Sequence, residues 1–200
     1  MSTGRFVASA TKPADLPDLG GVEVAFAGRS NVGKSSLLGA VLGQAKLVRV
    51  SRTPGRTQAL NLFVRGDGLA LVDLPGYGYA KLSKAKRSSL ESMLRSYLRD
   101  RQALRGVVLL VDARRDEVSA LDRAFAEWVT LGSPQLLVVI TKADLVPKTR
   151  RRQVASVIED GLGIPRGSAL LCSAHSGDGV AELGACLSQL RNEGERPQGG

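Results

Sequence analysis

The residues Gly28-Arg29-Ser30-Asn31-Val32-Gly33-Lys34-Ser35 fit the spacing G-x-x-x-x-G-K-[ST]. Backbone N–H groups of such a loop converge on phosphate oxygens, and the helix that follows adds its positive N-terminus. Lys34 would reach the β- and γ-phosphates, and the Ser35 hydroxyl would face Mg2+. The metal needs an acidic partner, and Asp73 ends an apolar run at a position suited to holding Mg2+ through water. In Asp73-Leu74-Pro75-Gly76 the glycine has no Cβ to keep its N–H from a γ-phosphate. Between the two strings lies Thr53-Pro54-Gly55-Arg56-Thr57-Gln58, in a loop before a strand. A threonine there can close on Mg2+ when a γ-phosphate is present and release it afterwards; Thr57 is the preferred ligand and Thr53 its competitor.

A further string addresses a base. The apolar run at 136–140 leads into Thr141-Lys142-Ala143-Asp144. An aspartate there can accept hydrogen bonds from guanine N1–H and the N2 amine, a donor pair adenine lacks. Lys142 can lay its stem over the ring, and Cys172-Ser173-Ala174 after a later apolar run can offer a backbone N–H to guanine O6. His175, the only histidine, reads as a solvent-facing loop residue. Gly-Leu-Gly-Ile-Pro at 161–165 is only a look-alike of a dinucleotide loop; it follows a helical pattern and holds a proline, so it reads as a turn.

Positioning these strings takes alternating strands and helices. Strand patterns occur at residues 22–27, 60–64, 69–72, 107–111, 136–140 and 169–172, and helical patterns at 37–42, 88–104, 119–131, 149–160 and 180–190. That alternation predicts an α/β fold with a mostly parallel sheet flanked by helices on both faces. Residues 1–19 carry Pro13 and Pro17 among polar residues and are expected to be a flexible extension. Residues 20–191 form the single domain, and 192–200 are expected to be a disordered tail.

With 200 residues and 43% hydrophobic content the chain can bury a core. No apolar run approaches a membrane span and no secretory leader is recognisable, so the cytoplasm is expected, without membrane attachment. The two cysteines have no metal spacing and read as reduced core thiols. The net charge of +9 should attract polyanions. It is concentrated at Lys81, Lys84, Lys86, Arg87, Arg95, Arg99, Arg101 and Arg105, with a second cluster, Lys-Thr-Arg-Arg-Arg, at 148–152. With 4% aromatics, contact to nucleic acid phosphates is favoured over base stacking.

The strings AFAGRSNVGKSSL, SRTPGRTQALNLF, DLPGYGYAK and TKAD together resemble the EngB (YihA/YsxC) family of bacterial ribosome-biogenesis GTPases, related to translation factors. TPGRTQ with DLPGYGYA is the more specific part, and the resemblance runs over about residues 6–190. It implies a Ras-like P-loop GTPase domain, Mg2+-dependent hydrolysis of GTP to GDP, and a switch role in assembly of the large ribosomal subunit. A link to cell division and septation is also implied. Carried over by residue, it makes 28–35 the phosphate loop and Ser35 and Thr57 the Mg2+ ligands. Gly55, Arg56, Thr57, Gln58 and Ala59 become the first switch, and Asp73, Leu74, Pro75 and Gly76 the γ-phosphate sensor. Thr141, Lys142, Ala143 and Asp144, with Cys172, Ser173 and Ala174, become the base site. Thr141 stands where GTPases at large have asparagine, as is usual in this family. Relatives with asparagine at the position of Asn31 hold K+ beside the phosphates, so Lys34, Thr57 and Asn31 are the catalytic candidates.

Tyr77 takes the place of the amide that commonly orients the attacking water, and a phenol is a poor substitute. A mobile switch around Tyr77 and slow unaided hydrolysis are therefore expected. Lys81, Lys84, Lys86 and Arg87 follow directly and are the candidate contacts to rRNA in a chain expected to act as a monomer. A division-site GTP-binding scaffold is the competing function. A P-loop kinase would share the phosphate loop but has no need of TKAD.

Overall fold

The computed structural model describes residues 3–50, 59–78 and 83–195. The strands are β1 (Arg5–Ala10), β2 (Glu23–Gly28), β3 (Leu60–Val64), β4 (Ala70–Asp73), β5 (Leu104–Asp112), β6 (Gln135–Thr141) and β7 (Leu170–Leu171). The helices are α1 (Lys34–Val41), α2 (Ala45–Val50), α3 (Lys84–Asp100), α4 (Ala120–Thr130), α5 (Lys148–Leu162) and α6 (Val180–Glu195). One sheet holds them in the order β1-β3-β4-β2-β5-β6-β7. β4, β2, β5, β6 and β7 are parallel neighbours, while β3 pairs antiparallel with both β4 and β1.

β2 is buried along its whole length, and its alternation sends side chains to two cores. Ala25 and Ala27 face the core under α3 and α4, with Leu90, Leu94, Tyr97 and Phe125. Val24 and Phe26 face the core under α1 and α6, with Leu37, Leu38, Leu183 and Leu187. After β2 the chain builds one side of the sheet (β3, β4), then crosses to the other (β5, β6, β7). The reversal of strand order lies at the carboxyl end of β2, the crevice where open α/β sheets bind ligands. Gly28, Asp73, Asp112 and Thr141 all end strands at this edge.

Several sequence expectations are corrected. The segment expected to be a flexible extension contains β1, because Phe6 packs edge-on to Phe63 (5.6 Å) and β1 completes the exposed side of β3. Residues 11–19 are pinned as well. Leu16 is buried, and Arg101 donates to the Leu16 and Pro17 carbonyls (3.1 and 2.8 Å) and to the buried Glu23 carboxylate. Tyr97 donates to the same carboxylate at 2.6 Å. At the other end α6 continues through 192–195, where Gly194 lies against Val22 and Arg105 so closely that a Cβ would collide. α3 stops at Asp100, and Leu104, expected on its apolar face, instead starts β5. α5 runs through Gly161, which allows close approach to Val118, and ends where Gly163 turns left-handed (φ 67°). α2 was not foreseen. Among the described residues no helix is long and apolar enough to cross a membrane. Cys172 is buried, and burial pushes its thiol up to about 12, so it is inert; Cys186 is part-buried and also free.

Candidate functional site

β2 delivers Gly28 to the sheet edge, and the loop that follows turns on left-handed residues, Asn31 (φ 64°) and Gly33 (φ 101°). Gly33 is the N-cap of α1 and provides no capping side chain. By contrast Ser83 and Ser119 cap α3 and α4 with their hydroxyls. The N–H groups that begin α1 are thus not taken up by a cap, as an anion site requires. Lys34 and Asp73 are both buried, and the Lys34 ammonium pairs with Asp73 Oδ1. The Ser35 hydroxyl is buried without a hydrogen-bond partner among the described residues.

The Asp73–Gly76 turn lies directly on the phosphate loop. Leu74 N–H donates to Phe26 O at 3.0 Å, and a Cβ on Gly76 would sit 3.4 Å from the Ser30 backbone. Tyr77 bridges to Arg29 through the main chain. Ser30 N–H and its hydroxyl both donate to Tyr77 O (3.0 and 3.2 Å), and Tyr77 N–H donates to Gly28 O at 3.4 Å. The Tyr77 side chain turns the other way. It is buried, stacked on Phe125 (5.2 Å, 20°), and its hydroxyl donates to Asp122 at 2.9 Å. Burial, aided by the Asp122 charge, pushes the phenol well above its ordinary value. The phenol thus lies in the core and not at the sheet edge where a catalytic amide would orient water. An aromatic ring next to an apolar helix gains more from the core than from the polar cleft.

On the base side, Thr141 donates to the Val32 and Val111 carbonyls (2.6 and 3.2 Å), tying the end of β6 to the phosphate loop. Lys142, left-handed at φ 59°, donates to Asn31 O and to Asp112 (both 2.7 Å), and its stem lies beside Gly33. Ala143 N–H donates to Cys172 O at 3.1 Å, bringing the two predicted base strings together. A hydrogen bond from the Ser173 side chain holds the Asp144 carboxyl below its ordinary range, with smaller help from His175 and Arg151. Ser173 itself is buried and accepts from the N–H groups of His175 and Ser176, which keeps this loop tight. Ala174 and His175 are exposed.

Asp112 was not singled out from sequence. It is nearly buried and accepts from Lys142 and Arg114. Burial opposes its charge, but those hydrogen bonds outweigh burial and hold the carboxyl well below the usual range. The signal was available: Asp112 ends an apolar strand as Asp73 does. Gly55, Arg56, Thr57 and Gln58, with Lys81, lie outside the described residues, whereas Ala59 is buried just before β3. A cavity of about 920 Å³ between Pro13 and Met93 is remote from these strings.

A family model described as a 50S ribosome-binding GTPase matches residues 23–142, from the start of β2 to the lysine beside the phosphate loop. This chain belongs to that GTPase family. Among curated family members, the probable GTP-binding protein EngB of Anaeromyxobacter sp. (strain K) is 44% identical over 197 residues, covering 94% of this chain and 91% of that protein. The EngB of Geobacter metallireducens is 42% identical over 195 residues, covering 98% and 95%. The crystal structure of a probable GTP-binding protein engB matches with a TM-score of 0.73 at 23% identity, over 86% of this chain and 100% of that one. Aquifex aeolicus Era matches with a TM-score of 0.63 at 20% identity, over 89% and 57%. These two structural matches bear on the fold, a mixed seven-stranded sheet flanked by helices in the Ras-like GTPase manner. The curated relatives and the family model make the chain an EngB-type GTPase.

Proposed function

We propose that this protein binds and hydrolyses GTP at the edge formed by 28–35, 73–76, 141–144 and 172–174, and acts as a nucleotide-dependent switch in assembly of the large ribosomal subunit. The observation that carries the reading is the direct linkage of the phosphate loop to TKAD: Thr141 to Val32 and Lys142 to Asn31. That linkage supports a reading in which Asp144, two residues past Lys142, would bind the base at a fixed reach from the phosphate loop.

GTPases of this kind use Mg2+, and the donor set here suits it. The buried Ser35 hydroxyl, unpartnered among the described residues, is a ready hard-oxygen ligand, and Asp73, in contact with the neighbouring Lys34, is the candidate carboxylate, with Thr57 as the third candidate. The bound ion would supply charge neutralisation at the phosphates. Lys34 exchanges its contact with Asp73 for phosphate oxygens, Gly76 presents its N–H to the γ-phosphate, and the base site excludes adenine. With Tyr77 in the core, nothing at that position orients water, so unaided hydrolysis is slow. Asn31, exposed and left-handed, is the candidate ligand for a K+ that would do the work of an arginine finger. Hydrolysis should be faster in K+ than in Na+, with and without ribosomal subunits; equal rates would remove that role.

The RNA-contact reading rests on the first turn of α3. Lys84, Lys86 and Arg87 are exposed there, and no acidic residue accompanies them. Positive charge at a helix N-terminus is unfavourable by roughly 0.3–1 kcal/mol per charge, an arrangement that suits binding of a polyanion. These residues begin close after the γ-phosphate sensor, so nucleotide state can reach them. In sedimentation with large ribosomal subunits, more protein should pellet with a GTP analogue than with GDP, and pelleting should fall steeply with salt. Pelleting indifferent to both nucleotide and salt would reject the reading. Protein captured instead by cell-division components would favour the scaffold. A septation phenotype on depletion follows, in this reading, from reduced ribosome supply in the cytoplasm.

A further inference from the structure

The Tyr77 phenol ends on a carboxylate that no sequence string pointed to. Asp122 is buried, and both of its oxygens are engaged: Oδ1 accepts from Tyr77 at 2.9 Å, and Oδ2 accepts from the Ser119 hydroxyl at 2.6 Å. Ser119 in turn caps α4 by accepting from Asp122 N–H at 3.2 Å. The carboxylate therefore sits in the first turn of α4, where the helix dipole favours negative charge, and belongs to a rigid element. Tyr77 is held from two sides. Its main chain is bonded to Gly28 and Ser30 of the phosphate loop, and its ring is clamped between Phe125 and the Asp122 hydrogen bond. Gly76, the residue before it, cannot shift far from Ser30 while that clamp holds.

We propose that Asp122 is a positioning residue for the γ-phosphate-sensing turn: by anchoring the Tyr77 hydroxyl it presets the Gly76 backbone at the phosphate loop and so sets the preference for a nucleoside triphosphate over the diphosphate. The proposal rests on guanine nucleotide binding at this loop. A diphosphate is held by residues 28–35 and the base site; the loop meets Tyr77 through its main chain, and neither part contacts the phenol hydroxyl. Only the γ-phosphate draws on Gly76. Preorganisation lowers the ordering cost of that one contact, so loss of the clamp falls selectively on the triphosphate.

The test uses the full chain and fluorescence titration with GDP and with a non-hydrolysable GTP analogue. Asp122→Ala and Tyr77→Phe are each expected to weaken binding of the GTP analogue about tenfold while GDP affinity stays within about twofold. Tyr77→Phe keeps the ring on Phe125, so it reports on the clamp even if Asp122→Ala folds poorly. Asp122→Asn retains an acceptor oxygen for the phenol and should restore the ratio. A merely structural role would weaken both nucleotides alike or change only thermal stability, and either outcome overturns the proposal. So does an unchanged ratio in Tyr77→Phe. If the unaltered protein binds neither nucleotide, the site reading itself fails and this inference falls with it.

Discussion

Asp144→Asn is expected to exchange guanosine for xanthosine specificity. The Asp144 carboxylate can only accept hydrogen bonds, and guanine offers it two donors, N1–H and the N2 amine. An asparagine presents a donor where the amine also donates, so one bond is replaced by a clash of donors. Xanthine carries a carbonyl in place of the amine and pairs with the new side chain. Each hydrogen bond to a charged group is worth about 1.5–3 kcal/mol. GTP affinity should therefore fall by roughly 10²- to 10⁴-fold, with xanthosine triphosphate gaining by a comparable factor. Competitive nucleotide titration measures both. A variant that still prefers GTP would mean Asp144 does not face the base. The pH dependence carries a matching signature. Ser173, His175 and Arg151 hold the Asp144 carboxyl below its ordinary value. The charged form is lost only as pH falls through that lowered value, so GTP selectivity should survive into acid beyond the range of an ordinary aspartate.

Lys34→Ala is expected to cost both binding and fold. In the proposed site Lys34 would reach the phosphates, and two charge-assisted contacts there would be worth roughly 3–6 kcal/mol together, about 10²- to 10⁴-fold in affinity. Without nucleotide, Lys34 is the buried ammonium on the buried Asp73 carboxylate. Removing one member of such a pair costs about 3–5 kcal/mol in stability, because the other charge stays in a poorly solvated site. Urea unfolding should show that loss, and Lys34→Ala combined with Asp73→Ala should recover part of the stability and none of the binding. Ser35→Ala is the control. Its hydroxyl has no partner to lose, so stability should hold or rise while Mg2+-dependent affinity drops. Equal destabilisation by Ser35→Ala would show that its hydroxyl supports the fold.

The candidate site could be read from sequence because the residues proposed for it would act through local backbone geometry. Gly28, Gly33 and Gly76 mark places where a backbone must approach phosphate, and that requirement is written in residue type. Asp73 ends an apolar run and Asp144 follows one within a few residues, and a charge at or just past a strand's end has to face the sheet edge. Residues 142 and 143 were placed in a base site from spacing, and their bonds to Asn31 and Cys172 agree with that placement. What escaped were features made by distant contacts. β1 looked like a loose extension because Phe6 gains its value from Phe63, and α6 looked short because Gly194 is only an advantage once Val22 lies beneath it.

Tyr77 shows the division most sharply. Its place after Gly76 determined, from sequence alone, that no amide could orient water there. Where the phenol goes was decided by tertiary structure, since Phe125 and Asp122 approach it only after α4 packs on the sheet. The sequence by itself determined the alternating fold and the GTPase family strings, and it gave the proposed phosphate cradle and base site, all of which depend on residues near in chain or on backbone chemistry. Only the tertiary structure decided that the tyrosine is an anchor, that Asp112 joins Lys142 to the site, and that residues 3–19 and 192–195 belong to the packed domain. Those outcomes depend on which buried groups can pair with one another, and a single strand of sequence does not carry that pairing.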